Sequence, residues 1–263
     1  MSRINIIDGN NQFFLKLPKA ANMNHLVESC ASLHHGYDLV YWVFDGLDSR
    51  KPRRDIYPAY KDTKSRQKNS QDRTKYEVLK VFKHEKLPKI GGCMMIEIPF
   101  VEADDIIRKL TKYHVSMGHQ ITISSNDVDI AELTSLPGVI QPQARLPQHC
   151  RPEQLCIYKT LVGDSGDNIK GLKGFGEKSW ENLSESDLQV LTQKITDKSL
   201  TFDVELEDEK LTLKVQQNWD EILMWYSVVS YIDFEDSLIQ KHLKVFPKQA
   251  VPLHTQPIRM EGT

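Results

Sequence analysis

Nine acidic residues fall at places in the chain that suit metal-ion chemistry. Asp8 follows the apolar run Ile4-Asn5-Ile6-Ile7, and Asp45 follows Leu39-Val40-Tyr41-Trp42-Val43-Phe44. Asp127 and Asp129 follow Ile121-Thr122-Ile123-Ser124. Glu102, Asp104 and Asp105 open a helical stretch, and Asp164 and Asp167 frame a glycine-rich loop. Carboxylates gathered in one crevice repel one another unless cations sit between them. The pattern therefore points to a divalent-metal site. Glu102 and Asp105, three apart, share one helical face. Asp104 lies about 100° round from each of its chain neighbours, off that face, which suits it to a second ion. Blander roles compete: acids complement the positive end of a helix, and Asp127 is placed to cap a short one.

The elements that must position these groups are short. Apolar runs at 4–7, 39–44, 94–98, 120–123 and 139–140 read as strands. They alternate with helical patterns at 25–35, 75–86, 102–117 and 128–133. This alternation predicts an α/β fold with a parallel-rich sheet flanked by helices, whose strand ends converge on one crevice. From 48 to about 74, apolar residues thin out and the segment reads as a surface excursion. After Arg145-Leu146-Pro147 the alternation stops. Helices are expected at 152–161, 177–183, 186–195 and 219–230, with a hairpin formed by 201–206 and 210–215. The division that follows is an α/β core over 1–146 with an excursion at about 48–86, a helical region over 147–246 and a flexible tail over 247–263.

The 263 residues carry a net charge of −2, unevenly spread. Between Arg50 and Lys89 there are fourteen Lys or Arg against five Asp or Glu, interleaved with Tyr57, Tyr60 and Tyr76. Basic groups track phosphates and aromatic rings stack on bases, so this segment favours nucleic acid over a merely solvated face. In the loop Gly163–Gly176, Gly171, Gly174 and Gly176 allow backbone N–H groups to approach a phosphate, and Lys170, Lys173 and Lys178 add charge. The spacings of a Walker loop, a dinucleotide fingerprint and a GxSxG nucleophile are absent. The four cysteines form neither a CxxC pair nor a zinc spacing and read as reduced thiols. No apolar run reaches the ~18 residues of a membrane span, and the N-terminus lacks a secretory pattern.

Ile7-Asp8-Gly9-Asn10, Val43-Phe44-Asp45, Tyr57-Pro58-Ala59-Tyr60-Lys61, Glu102-Ala103-Asp104-Asp105 and Gly163-Asp164-Ser165-Gly166-Asp167-Asn168-Ile169 occur in that order. In this the chain resembles the flap endonuclease or 5′-3′ exonuclease family, of the polymerase-associated and bacteriophage stand-alone types. The resemblance implies a PIN-like nuclease core, a helical arch and a helix-three-turn-helix region that holds duplex DNA. It implies a structure-specific 5′ nuclease with two Mg²⁺ or Mn²⁺, and with K⁺ at the helix-three-turn-helix. The implied ligands are Asp8, Asp45, Glu102, Asp104, Asp105, Asp127, Asp129, Asp164 and Asp167. Lys61 at the arch base, Arg53 and Asp127 are the implied catalytic groups. Arg53, Arg54, Tyr57, Tyr60, Lys61, Lys64, Lys170, Gly171, Lys173, Gly174, Gly176 and Lys178 are the implied nucleic-acid contacts. The implied partner is DNA with a 5′ flap, a 5′ end or a strand junction, or an RNA/DNA hybrid, met by a monomer in the cytoplasm, the host's where the gene is a phage's. Asp127-Val128-Asp129 and Ile169-Lys170-Gly171 depart from the family's Asp-Lys-Asp and Ile-Pro-Gly. A non-catalytic DNA-junction binder and a PIN-like RNase are the competing readings.

Overall fold

The computed structural model describes residues 1–62 and 73–248. Lys64 and most of the proline-bearing tail lie outside the described residues. The chain runs β1 (Arg3–Asp8), α1 (Gly9–Lys16), α2 (Met23–Ala31), β2 (Leu39–Phe44), α3 (Lys51–Ile56) and α4 (Arg73–Val81), then a π-helical turn at Phe82–Lys86. It continues with β3 (Cys93–Glu97), α5 (Ala103–Ser116), β4 (Gln120–Ser124), a 3₁₀ segment at Val128–Ser135 and β5 (Val139–Ile140). Next come α6 (Leu155–Val162), α7 (Glu177–Glu181), α8 (Glu185–Thr196), α9 (Glu209–Gln217) and α10 (Trp219–Val229). The described chain closes on α11 (Asp236–His242) and β6 (Leu243–Phe246).

The sheet has the order β5-β4-β1-β2-β3-β6, parallel except for β6, which runs against β3. The expected α/β architecture is thus present. Side chains alternate across each strand. Ile4, Ile6, Tyr41 and Val43 meet Ile106, Ile107 and Leu110 of α5 on one face. Ile7, Trp42 and Phe44 meet Phe13, Leu26 and Phe82 on the other. Burying each such side chain contributes roughly 1.5–3 kcal/mol. Apolar cover on both faces explains why these strands are apolar throughout. Among the described residues no helix is long and apolar enough to cross a membrane.

A separate core forms between α6 and α10 from Leu161, Leu172, Trp180, Leu191, Ile222 and Trp225, and Tyr60 packs into it. The chain then returns to the sheet, so 236–246 completes the α/β core instead of ending the helical region.

The expected hairpin is absent. Residues 201–206 are irregular, and 209–217 is helix α9. The period-two pattern there misled because Leu211 and Val215 are also four apart, the helical repeat. Asp208 decides between the two by accepting hydrogen bonds from the N–H groups of Lys210 (2.8 Å) and Leu211 (3.3 Å), which starts the helix.

The turn after β2 sits flush on the chain that leads into α5. The Gly46 N–H donates to the Val101 carbonyl at 3.2 Å, and a Cβ on Gly46 would fall 1.7 Å from the Ile98 carbonyl oxygen. We expect Gly46→Ala to lower unfolding free energy by about 1–3 kcal/mol in a urea titration. An unchanged midpoint would show that this turn has slack.

Candidate metal centre

Parallel register brings the carboxyl ends of β4, β1 and β2 side by side, and the acidic residues sit there. Asp8 ends β1, where it accepts from the Asn11 N–H at 3.1 Å and the Ser125 hydroxyl at 2.9 Å. Asp45 accepts from the Ala103 N–H at 2.9 Å and the Asn10 amide at 3.0 Å, joining the end of β2 to the start of α5. Asp127 accepts from the Asp129 N–H at 3.0 Å, so it does cap the 3₁₀ segment while keeping its other oxygen free of a protein partner among the described contacts.

Among the described residues two groups of carboxylate oxygens emerge, each gathered within 4.8 Å: Asp104, Asp127 and Asp129, and Asp129, Asp164 and Asp167. Asp129 belongs to both. Burial pushes the Asp8 carboxyl up to about 7, and the nearby Asp45 and Asp127 add to this. Burial likewise raises Asp45, Asp104 and Asp127, with neighbouring carboxylates adding to each, and lifts Asp167 to about 6. Asp129 goes the other way: burial opposes its charge, but Lys159 holds it down to about 2. Such a set of hard, mutually repelling oxygens suits a divalent cation.

Not every expected ligand faces this centre. The Arg53 guanidinium, 3% exposed, forks onto Asp105 at 2.6 and 2.8 Å and reaches Glu102 at 2.9 Å. Its remaining N–H groups donate to the carbonyls of Val228 and Ser230. Arg53 therefore has no donor left for a phosphate, and Asp105, which also accepts from the Ile232 N–H, is spent on this buried clamp. Glu102 shares the helical face of Asp105, as the spacing predicts. It accepts from Lys61 at 2.8 Å and the Tyr60 hydroxyl at 3.0 Å. Burial opposes the Glu102 charge, yet Lys61 and Arg53 hold its carboxyl below the usual range. Asp104, turned away from that face, is the member of the trio that joins an ion-holding group.

Lys61 is buried in the left-handed region (φ 54°), with Nζ 3.9 Å from Asp167 and its N–H donating to the Asp167 carbonyl at 3.1 Å. Tyr60 is 2% exposed and unavailable to stack on a base. Tyr57 is half-buried, with its hydroxyl on the Asn168 carbonyl. Arg54 donates to the Tyr60 carbonyl at 3.2 Å and borders an open groove of about 900 Å³ with Asp45, Arg50, Lys51, Tyr76, Lys80 and Lys83.

In the glycine-rich loop, Lys170, Lys173 and Lys178 are exposed. Gly174 (φ 74°) and Gly176 also face outward, but Gly171 is buried (φ 65°). A Cβ on Gly171 would fall 2.5 Å from the Gly163 nitrogen. Gly171 is needed for the loop to pack on itself, which corrects its expected contact with nucleic acid.

Sequence reading missed Lys159. It ion-pairs with Asp129 and, at 2.5 Å, with Asp164, from the middle of an apolar helix. A lone lysine in the otherwise uncharged run Leu155–Val162, one turn before an acidic loop, was the available signal.

These features define a carboxylate-centred α/β protein with an appended helical lobe carrying a glycine turn. The chain belongs to the 5′-3′ exonuclease N-terminal resolvase-like domain family, whose model matches residues 18–150. It is 30% identical over 203 residues to the thermostable DNA polymerase I of Thermus thermophilus, a match covering 69% of this chain and 23% of the polymerase. The chain thus spans a quarter or less of the length of the polymerase relatives it matches. It is 29% identical to the 5′-3′ exonuclease of Aquifex aeolicus, covering 65% of this chain and 68% of that protein. The fold is shared with the T5 D15 protein at a TM-score of 0.64 and 22% identity, over 86% of this chain and 88% of that one.

Asp8 and Asp167 carry an ordinary carboxyl value of 3.8 to about 7 and about 6 in the fold. Between those values the folded state holds more protons than the unfolded, so their contribution to stability falls as pH rises through that window. The depressed Asp129 acts oppositely, but only below its ordinary value of 3.8. We expect the Tm of metal-free protein to fall from about pH 5 to about pH 8, and Mn²⁺ to raise it more at the higher pH. A Mn²⁺ effect independent of pH would contradict the protonation assigned here.

Proposed function

We propose that this chain is a divalent-metal-dependent 5′ nuclease that hydrolyses DNA phosphodiester bonds near 5′ ends, 5′ flaps and junctions of single and double strand. The observation that carries this reading is the pair of carboxylate groups sharing Asp129 at the ends of parallel strands. Membership of the exonuclease family supports it. So do the T5 D15 structures, one with metal ions and one of the D15 flap endonuclease with DNA and metal ions.

Asp104, Asp127 and Asp129 would hold one Mg²⁺ or Mn²⁺, and Asp129, Asp164 and Asp167 another, with Asp8 and Asp45 alongside at the strand ends. When bound, such ions lower the pKa of water and neutralise charge on the phosphate under attack. The protein's own groups do the rest. Glu102 and the Asp167 carbonyl fix Lys61 beside the second carboxylate group, where its ammonium attracts and orients a phosphate. The groove below Arg50, Arg54 and Lys80 opens at Asp45 and suits the single-stranded 5′ side. Lys170, Lys173 and Lys178, free of ion pairs among the described residues, suit duplex phosphates.

The deciding assay follows product lengths from a 5′-labelled flap, a nicked duplex and a single strand, with Mg²⁺ or with EDTA. Asp127→Asn should remove cleavage while leaving flap binding within about a factor of three of wild type. Normal turnover by that variant at saturating Mg²⁺ would take Asp127 out of the centre. Wild type that binds flaps but never cuts them would leave a junction binder.

Replacing Lys170, Lys173 and Lys178 together by Gln should weaken duplex binding across sequences. It should also reduce the slope of log K against log salt by about 2–3. An unchanged slope would place the duplex elsewhere.

A further inference from the structure

Behind the centre lies a second buried network that the proposed chemistry does not use. Arg108 of α5 is 2% exposed, one turn beyond Asp104. Its Nη2 donates to the backbone carbonyl of Asp129 at 2.7 Å. Its Nε forms an ion pair with Glu132 at 2.9 Å, out of hydrogen-bond alignment, and its Nη1 lies 3.8 Å from Asp105. The other Glu132 oxygen accepts from the Cys156 thiol at 2.8 Å. Cys156 lies one turn before Lys159 on α6, and Lys159 pairs with the Asp129 side chain. One guanidinium thus ties together the helix of Asp104, the 3₁₀ segment of Asp129 and, through Glu132, the helix that leads to Asp164.

We propose that Arg108 is the positioning residue of the shared ligand Asp129, setting its separation from Asp104 and so the metal affinity of both carboxylate groups. The proposal rests on the metal reading above. A buried cation is costly to retain for stability alone, because an apolar replacement of similar volume is often neutral or better. Its donor is aimed at the backbone carbonyl of the one residue common to both groups, where a shift of a few tenths of an ångström alters both. Groups that orient metal ligands from behind typically change affinity by about 10–100-fold when removed.

The test is Mn²⁺ binding to DNA-free protein, followed by electron paramagnetic resonance and calorimetry, for wild type, Arg108→Met, Arg108→Lys and Glu132→Gln. Thr111→Val serves as the control: Thr111 is buried on the same helix and its hydroxyl has no partner among the described residues. We expect Arg108→Met to weaken Mn²⁺ binding at least about tenfold. Arg108→Lys should recover part of this through a single donor, and Glu132→Gln should weaken binding less. Thr111→Val should leave affinity unchanged whatever it does to Tm. Wild-type affinities in folded Arg108→Met would overturn the proposal. If that variant does not fold, wild-type affinities in both Arg108→Lys and Glu132→Gln would overturn it equally. Wild type that binds no Mn²⁺ would instead remove the metal reading itself, a separate result.

Discussion

The constraint on which the rest of the structure depends is the cost of gathering like charges out of water. Each buried carboxylate costs several kcal/mol, on the order of the whole stability of a domain when a few are summed. Among the described residues four buried cations answer this, each tying different elements together. Arg53 holds Glu102 and Asp105, Lys61 holds Glu102 and approaches Asp167, Arg108 holds Glu132, and Lys159 holds Asp129 and Asp164. Asp8, Asp45, Asp104 and Asp127 have no ion pair among the described residues, and burial raises the carboxyl of each. The protein thus balances part of its acidic set internally and leaves the part at the strand ends short of positive charge. That shortfall, more than the number of acids, is what makes the centre a cation site.

Much of this was legible in the sequence, and the legible part has a common cause. Apolar runs buried on both faces announce their strands, and the acids that follow Ile7, Phe44 and Ser124 inherit their place from parallel register. The Glu102–Asp105 face was also readable, since helical spacing alone fixes it. What spacing could not show was which partner meets that face. Arg53 is distant in the chain, and nothing in the sequence distinguishes a guanidinium bound for a phosphate from one bound for two carboxylates. The partners of Lys159 and Arg108 and the burial of Tyr60 were hidden for the same reason: each is decided by contacts between elements. The 201–215 segment failed differently, because two periodicities fitted it and a single capping aspartate chose between them.

The glycine-rich loop joins acidic residues of the candidate centre and exposed lysines on one piece of backbone. Asp164 and Ile169 exchange backbone hydrogen bonds at 2.8 Å, which closes the acidic half of the loop into a tight unit. Asn168, with φ 61°, donates to the Ala59 carbonyl, and the Tyr57 hydroxyl donates back to the Asn168 carbonyl. These bonds fasten the loop to the segment that carries Lys61. Past Gly171 the same loop presents Lys173 and the open Gly174 and Gly176 to solvent. Were a duplex held by the outer half, as proposed, it would be referenced through fewer than ten residues of hydrogen-bonded chain to the carboxylates of the inner half. On such a scaffold a small error in where that duplex sat would become an equal error at the carboxylates. On the proposed function, the stiffness of this loop would set a fixed distance between duplex and cleavage point, without requiring any base to be read.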